Sequence, residues 1–207
     1  MTGLLRTIGR QLSHPEGRKG RILGAVMDFA NRQPVSLALD LLAAMPGEHI
    51  LDIGCGTGAA SQQLLQRAAC CVTGVDRSAT MLERARQRRY GPDGASFQLA
   101  SLGALPFAAA SFDAALALNL LYFCDDAGLM IADLKRVLRP GGRMVAYVTH
   151  GATMAKWPFV SPATHRLYDA AQLTDALMAG GFARERIAVH EHAINRHVRG
   201  LLALAMA

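Results

Sequence analysis

In the run Leu51-Asp52-Ile53-Gly54-Cys55-Gly56-Thr57-Gly58, an acidic residue precedes three glycines at alternate positions. Glycine lets a backbone turn sharply and approach a ligand closely, so such a loop between a strand and a helix can cradle a small molecule. Gly54 and Gly56 followed by Ala59 also meet the degenerate glycine fingerprint of dinucleotide-binding loops. Asp52 separates the two readings, because a carboxylate at the strand end repels a pyrophosphate and attracts an ammonium or sulfonium. Gly58 is one glycine more than that fingerprint asks for. Asp76 follows Gly54 by 22 residues. A carboxylate there can accept both hydrogen bonds of a ribose diol, while Ser78 is suited to cap the helix that follows.

These residues can meet only if strands and helices alternate. Apolar runs predict strands at His49–Ile53, Cys71–Val75, Phe97–Ala100, Asp113–Leu118 and Arg143–Thr149, with helices over Ala59–Ala69, Ser78 to about Tyr90 and Asp126–Leu138. Pro140-Gly141-Gly142 is expected to end the last of these helices and launch the fifth strand, and Gly91-Pro92 with Asp93-Gly94 to form a turn. Continuous apolar strands separated by helices imply a parallel α/β sheet, doubly wound, with helices on both faces. Asp169–Ala179 reads as a further helix ending at Gly180-Gly181, and Ile187–His192 with His197–Leu204 as a hairpin. Residues 1–46 read as a helical extension or cap on a single domain over 47–207. Asp52, Asp76, Ser101 and Asn119 then fall at the carboxyl ends of four strands, the edge where open α/β sheets bind ligands.

With Gly74-Val75-Asp76-Arg77-Ser78, Met81-Leu82, Leu105-Pro106-Phe107, Ser111-Phe112-Asp113 and Leu134 to Gly142 added to the glycine run, the chain resembles the class I S-adenosylmethionine-dependent methyltransferases over about residues 48–150. The resemblance implies a Rossmann-like seven-stranded sheet, mostly parallel with an antiparallel last strand. It implies S-adenosylmethionine as cofactor and S-adenosylhomocysteine as product. On that basis Asp52 organises the methionine ammonium, and Gly54, Gly56 and Gly58 let the backbone come close. Asp76 holds the ribose, with Arg77 and Met81 beside the adenosine; Ser101 and Leu102 flank the base, and Asn119 lies toward the methionine end. Such enzymes usually have an Asp where this chain has Ser101, whose hydroxyl accepts one hydrogen bond without charge assistance.

Methyl transfer from a sulfonium needs a general base only where the acceptor must lose a proton. His150, directly after the fifth strand, is the best-placed candidate for that role because histidine titrates near neutrality; it reads equally as a polar loop residue. Tyr122 and His165 are weaker candidates. Asn119-Leu120-Leu121-Tyr122 differs from the Asn/Asp-Pro-Pro-Tyr motif of nucleic-acid amino-methylating enzymes, and no recognition domain is appended. The expected acceptor is a small or lipid-like molecule, capped by the apolar segment from Met154 to Val160 and the N-terminal helices.

Composition bounds the alternatives. The 207 residues are 51% hydrophobic and 18% charged, which excludes a disordered chain, and suit one domain. No apolar run approaches a membrane span, and Arg6 and Arg10 interrupt the only apolar stretch of Met1–Leu12, which argues for a cytoplasmic protein. The net charge is +6, of which residues 1–33 carry +4, from six bases against Glu16 and Asp28. Without interleaved aromatics this arm is a poor nucleic-acid binder. Leu4, Leu5, Ile8 and Leu12 beside Arg6 and Arg10 fit a helix lying on a membrane surface or on the protein's own core. Cys55, Cys70, Cys71 and Cys124 have no paired spacing, which argues against a disulfide framework and a structural metal. Two other functions stay open: a cofactor-binding module without turnover, and a nicotinamide-dependent oxidoreductase, which Asp52 disfavours.

Overall fold

The structure is a computed structural model that describes residues 27–91, 94–101, 103–124, 126–161 and 165–207. The amphipathic pattern of Leu4 to Leu12, the tip of the turn at Pro92-Asp93, and Leu102 lie outside these residues. Seven strands form one sheet: β1 (His49–Ile53), β2 (Cys71–Asp76), β3 (Ala95–Leu99), β4 (Phe112–Leu118), β5 (Leu138–Thr149), β6 (Ile187–Ala193) and β7 (Arg199–Met206). Their order is β3-β2-β1-β4-β5-β7-β6. The first five strands pair in parallel, and β7 is antiparallel to both β5 and β6. The sheet is thus the expected Rossmann-like one with its last strand reversed, and the tail hairpin is the β6–β7 pair.

The central strands are apolar throughout because both faces are covered. In β4, Ala114 and Leu116 pack on one face with Val145 and Tyr147 of β5, while Ala115 and Ala117 join Met144, Ala146 and Val148 on the other. Helix α1 (Arg32–Leu42) and α2 (Ala59–Arg67) cover the first face. In α1, Val35, Ala38, Leu39 and Leu42 recur at three- and four-residue spacing and are buried, a single apolar stripe laid on the sheet. The second face is covered by α4 (Ala127–Val137) and α6 (Ala170–Ala179), through Ile131, Leu134, Leu173 and Leu177. Between them in sequence are α3 (Ala79–Arg86) and the single turn α5 (Gly151–Met154).

Capping fixes where the helices begin. Ser78 accepts from the Met81 amide, Asp126 from Leu129, and Asp169 forms a reciprocal capping box with Gln172. Two ends differ from the sequence reading. Helix α3 stops at Arg86 rather than near Tyr90, because Tyr90 leaves the helix to place its ring 5.3 Å from Phe97 and donate its hydroxyl to the Ala85 carbonyl at 2.8 Å. Strand β5 starts at Leu138, before Pro140, because Leu138 already pairs with Phe112 and the register then shifts. Gly142 makes that irregularity feasible: a Cβ there would stand 2.9 Å from the Asp113 carbonyl oxygen.

Candidate functional site

The turn after β1 is built from three residues with positive φ, Gly54 at 67°, Gly56 at 53° and Gly58 at 74°. Gly54 and Cys55 both donate to the Val75 carbonyl, at 2.8 and 3.0 Å, which binds the loop to the end of β2. At Gly56 a side chain would meet only the Gly54 carbonyl oxygen, at an ordinary 3.9 Å, so its backbone conformation is what demands glycine. Gly58 differs: it is the N-cap of α2, and a Cβ would stand 2.3 Å from the Tyr90 hydroxyl. It serves the close approach of α2 to α3 and Tyr90 and does not itself line the neighbouring cavity.

Above this loop, at the carboxyl edge of the sheet, lies a cavity of about 500 Å³. Asp52, Gly54, Gly56, Asp76, Arg77, Met81, Ser101 and Asn119 all line it, so eight of the expected site residues converge on one concavity. Asp76 accepts from the Gly56 amide at 2.9 Å and the Ser78 amide at 2.8 Å. These bonds hold the carboxylate fixed, and a carboxylate has about four lone-pair sites in all. Asp52 is 2% exposed and accepts from the Ser61 hydroxyl at 2.6 Å. Burial pushes its carboxyl up to about 6; the Ser61 hydrogen bond opposes that shift and the nearby charge of Asp76 adds to it. A buried carboxylate beside a second one is short of positive charge, and a bound cation relieves both.

Asn119 directly follows β4 in the left-handed region at φ 55°, which asparagine tolerates better than most residues. Its amide donates to the Tyr147 carbonyl at 2.8 Å and its Oδ1 accepts from the Tyr122 hydroxyl at 2.8 Å. Tyr122 itself is buried and does not line the cavity. Its phenol is pushed up by burial, so it stays protonated and acts as a hydrogen-bond donor. His150 is also outside the cavity lining. Its Nδ1 accepts from the Ala152 amide at 3.1 Å as the N-cap of α5, and its Nε2 lies 3.4 Å from Glu191. Both ring nitrogens are therefore engaged away from the cavity, and the general-base role expected of His150 has no geometric support. His165 packs 5.0 Å from the Phe123 ring, and burial lowers its imidazole below the usual histidine range.

The structure adds wall residues that the motifs did not single out. Met27, Asp28, Asn31 and Val35 bring the N-terminal part of the described chain over the glycine loop, and Leu120, Phe123, Leu129 and Met130 face them from the start of α4 and the turn before it. Asp28 accepts from the Thr57 hydroxyl at 2.6 Å and forms an ion pair with Arg88 at 2.5 Å. Arg88 also donates from Nη2 to the Thr57 hydroxyl at 3.0 Å and from Nη1 to Gln62 at 3.0 Å. The opposite wall is largely apolar.

Residues 50–142, somewhat under half of the chain, match the family described as methyltransferase domain. The O-methyltransferase resE of Aspergillus sclerotiorum is 40% identical over 107 residues, which make up 50% of this chain and 40% of that protein. The demethylmenaquinone methyltransferase of Tropheryma whipplei (strain Twist) is 34% identical over 144 residues, 70% of this chain and 58% of that protein. The chain thus spans about two fifths to three fifths of the length of these curated relatives. The crystal structure of an S-adenosylmethionine-dependent methyltransferase from Mesorhizobium loti is similar with a TM-score of 0.65 at 25% identity, covering 78% of this chain and 92% of that one. Motif, sheet order and sequence match agree: the segment from Ile50 to Gly142 belongs to the class I S-adenosylmethionine-dependent methyltransferases.

Proposed function

We propose that this protein transfers a methyl group from S-adenosylmethionine to a small or amphipathic acceptor. The observation that carries the reading is the convergence of Asp52 and Asp76 on a single cavity at the carboxyl edge of the sheet. The donor set fits that cofactor: Asp52 faces a cationic ammonium, the fixed carboxylate of Asp76 faces the ribose diol, and Gly56 offers an open backbone surface. Ala100 and Ser101 form the wall for the base, with Met81 and Arg77 beside the adenosine. Asn119, held by Tyr122, borders the end from which the methyl group leaves. When bound, the sulfonium supplies an activated methyl carbon and a neutral thioether leaving group, so the new bond to the acceptor forms as the carbon–sulfur bond breaks.

What the chain contributes is position, which in favourable cases lowers a barrier by about 7–11 kcal/mol. Among the described residues no imidazole lines the cavity, and the reading favours an acceptor that is acidic on its own, such as a phenol or a carboxylic acid. The apolar wall from Leu120 to Met130 and the exposed Leu129 at 69% favour an acceptor with an apolar body. The similarity to an O-methyltransferase supports an oxygen acceptor, and the similarity to a demethylmenaquinone methyltransferase supports an acceptor with an apolar body. In this reading the segment ahead of residue 47 is the cap of the acceptor pocket. The basic arm of residues 1–33 would give a weak contact with an anionic membrane surface where the acceptor is lipid-like. Four free cysteines, with Cys71 exposed, fit a reducing cytoplasm.

Calorimetric titration with S-adenosylmethionine, S-adenosylhomocysteine and NAD tests the cofactor. Binding to NAD alone overturns the proposal. A labelled-methyl assay against phenolic, quinone and fatty-acid extracts tests turnover. Tight cofactor binding with no incorporation would instead mark a cofactor-binding module, the reading that Ser101 and the lack of a base at the cavity favour.

A further inference from the structure

We propose a second ligand site, for a small aromatic molecule carrying a phosphate or carboxylate, in the groove between α5 and the β6–β7 turn. The groove has a volume of about 360 Å³ and is lined chiefly by Thr153, Lys156, Trp157, Arg196, His197 and Arg199. Among the described residues it shares no lining residue with the cavity that holds Asp52 and Asp76. Its volume falls in the range of small-molecule pockets, roughly 300–1,000 Å³.

The walls are fixed to each other. The Arg199 amide donates to the Thr153 hydroxyl at 3.2 Å, and the His150 amide donates to the Arg199 carbonyl at 3.0 Å. Across the groove, the Asn195 side chain accepts from the His197 amide at 2.8 Å and the Val198 amide at 3.0 Å, while Ile194 anchors the turn in the core. A groove held this way loses little entropy on binding a ligand.

Its charge is one-sided. Lys156, Arg196 and Arg199 are all basic, and among the described residues no acid lines the groove. Glu191 sits outside the lining and is shared, accepting from Arg199 at 3.2 Å and lying 3.4 Å from His150. Lys156 and Arg196 form no ion pair among the described residues. The Arg196 Nε donates to His197 Nε2 at 2.8 Å, which leaves Nδ1 as the nitrogen that carries the imidazole hydrogen. Converging donors with uncompensated charge are satisfied by an anion, through charge-assisted hydrogen bonds. Trp157 adds a flat apolar surface beside these charges and is itself supported by Phe159, with ring centroids 5.5 Å apart. Cations next to a buttressed indole match an acid on an aromatic ring, such as an aryl phosphate or an aryl carboxylate.

Trp157 is the single tryptophan of the chain, so its fluorescence reports this groove without reference to methyl transfer. The probes are phenyl phosphate and benzoate, with phenol as the uncharged comparator and inorganic phosphate as competitor. The expected result is a saturable change in emission with at least one of the two acids, displaced by inorganic phosphate and weakened by salt. The change should be indifferent to saturating S-adenosylhomocysteine. The double variant K156A/R196A should bind the acid about tenfold or more weakly, the scale of lost hydrogen bonds to a charged group, with its unfolding midpoint kept as evidence of folding. No saturable change with either acid, an equal response to phenol, or full affinity in the folded double variant overturns the proposal. Loss of S-adenosylhomocysteine binding in the unmodified protein would instead overturn the cofactor assignment and leave this site standing.

Discussion

Ser61 donates a 2.6 Å hydrogen bond to Asp52, so the first turn of α2 holds the acidic end of β1 in place from inside the fold. That bond only partly offsets the burial that raises the carboxyl to about 6, from an ordinary value of 3.8. A raised acid means that the folded, ligand-free protein binds this proton more tightly than the unfolded chain does. The associated stability is present below about pH 4 and is lost as pH rises through about 6. At neutral pH the ionised group costs roughly 2–3 kcal/mol. Asp52→Asn keeps the acceptor for Ser61 and removes the charge. Thermal unfolding of the ligand-free variant should show a higher midpoint than wild type at neutral pH, and the gap should close toward pH 4. A lower midpoint at neutral pH would show that the ionised carboxylate stabilises the fold.

The same carboxylate makes cofactor binding depend on pH in the opposite sense. An ammonium or sulfonium gains from Asp52 only when it is ionised, so affinity for S-adenosylhomocysteine should rise with pH up to about 6 and level off above it. Below that point the slope is at most about tenfold per pH unit for a single group. In Asp52→Asn the profile should be flat across this range and lie below the wild-type plateau. Calorimetric titrations at pH steps from 5 to 8 give both curves. An unchanged profile in the variant would assign the titration to another group.

Asp28 and Arg88 join two segments 60 residues apart and clasp Thr57 between the glycines of the loop. The pair is about a quarter exposed on each side, so solvent screens part of its charge. Its effect on the site comes through Thr57, whose carbonyl and hydroxyl both contact Arg88. Arg88→Ala and Asp28→Ala should each weaken S-adenosylhomocysteine binding by about 1–2 kcal/mol. The double variant should cost less than the sum of the two, because either single change already breaks the clasp. Additive losses, measured by calorimetry, would mean that the two side chains act separately.

Sequence reasoning reached the parts of this site that are set locally. Asp52 and Asp76 stand at strand ends that apolar runs define, and Ser78, Asp126 and Asp169 mark helix starts by cap chemistry that spans three residues. What it missed depends on contacts between distant segments. Nothing near Asp28 in sequence indicates that it will meet Thr57 and Arg88, although its place in an otherwise basic arm is a weak hint. The close packing that asks for glycine at Gly58 is not legible locally, because the Tyr90 hydroxyl that a Cβ there would meet lies 32 residues away. His150 looked like a free base because neither its capping of α5 nor its approach to Glu191 on β6 is visible in the residues beside it. The early start of β5 follows from Gly142 abutting the Asp113 carbonyl, a contact that exists only once β4 and β5 have paired.

Tyr122 separates a positioning role from a catalytic one. Its hydroxyl donates to Asn119 Oδ1 at 2.8 Å, and burial raises the phenol, which opposes its use as a proton acceptor near neutrality. If its task is to orient the Asn119 side chain at the end of the cavity, Tyr122→Phe should lower kcat by about 5- to 20-fold, an effect on the scale of one hydrogen bond. Affinity for S-adenosylhomocysteine should change little, because Asp52, Asp76 and the glycine loop are untouched. The shape of the pH–rate profile should also be unchanged, since no titrating group is removed. Loss of a limb of that profile in Tyr122→Phe would make the phenol a general base and would move the acceptor's proton to this residue.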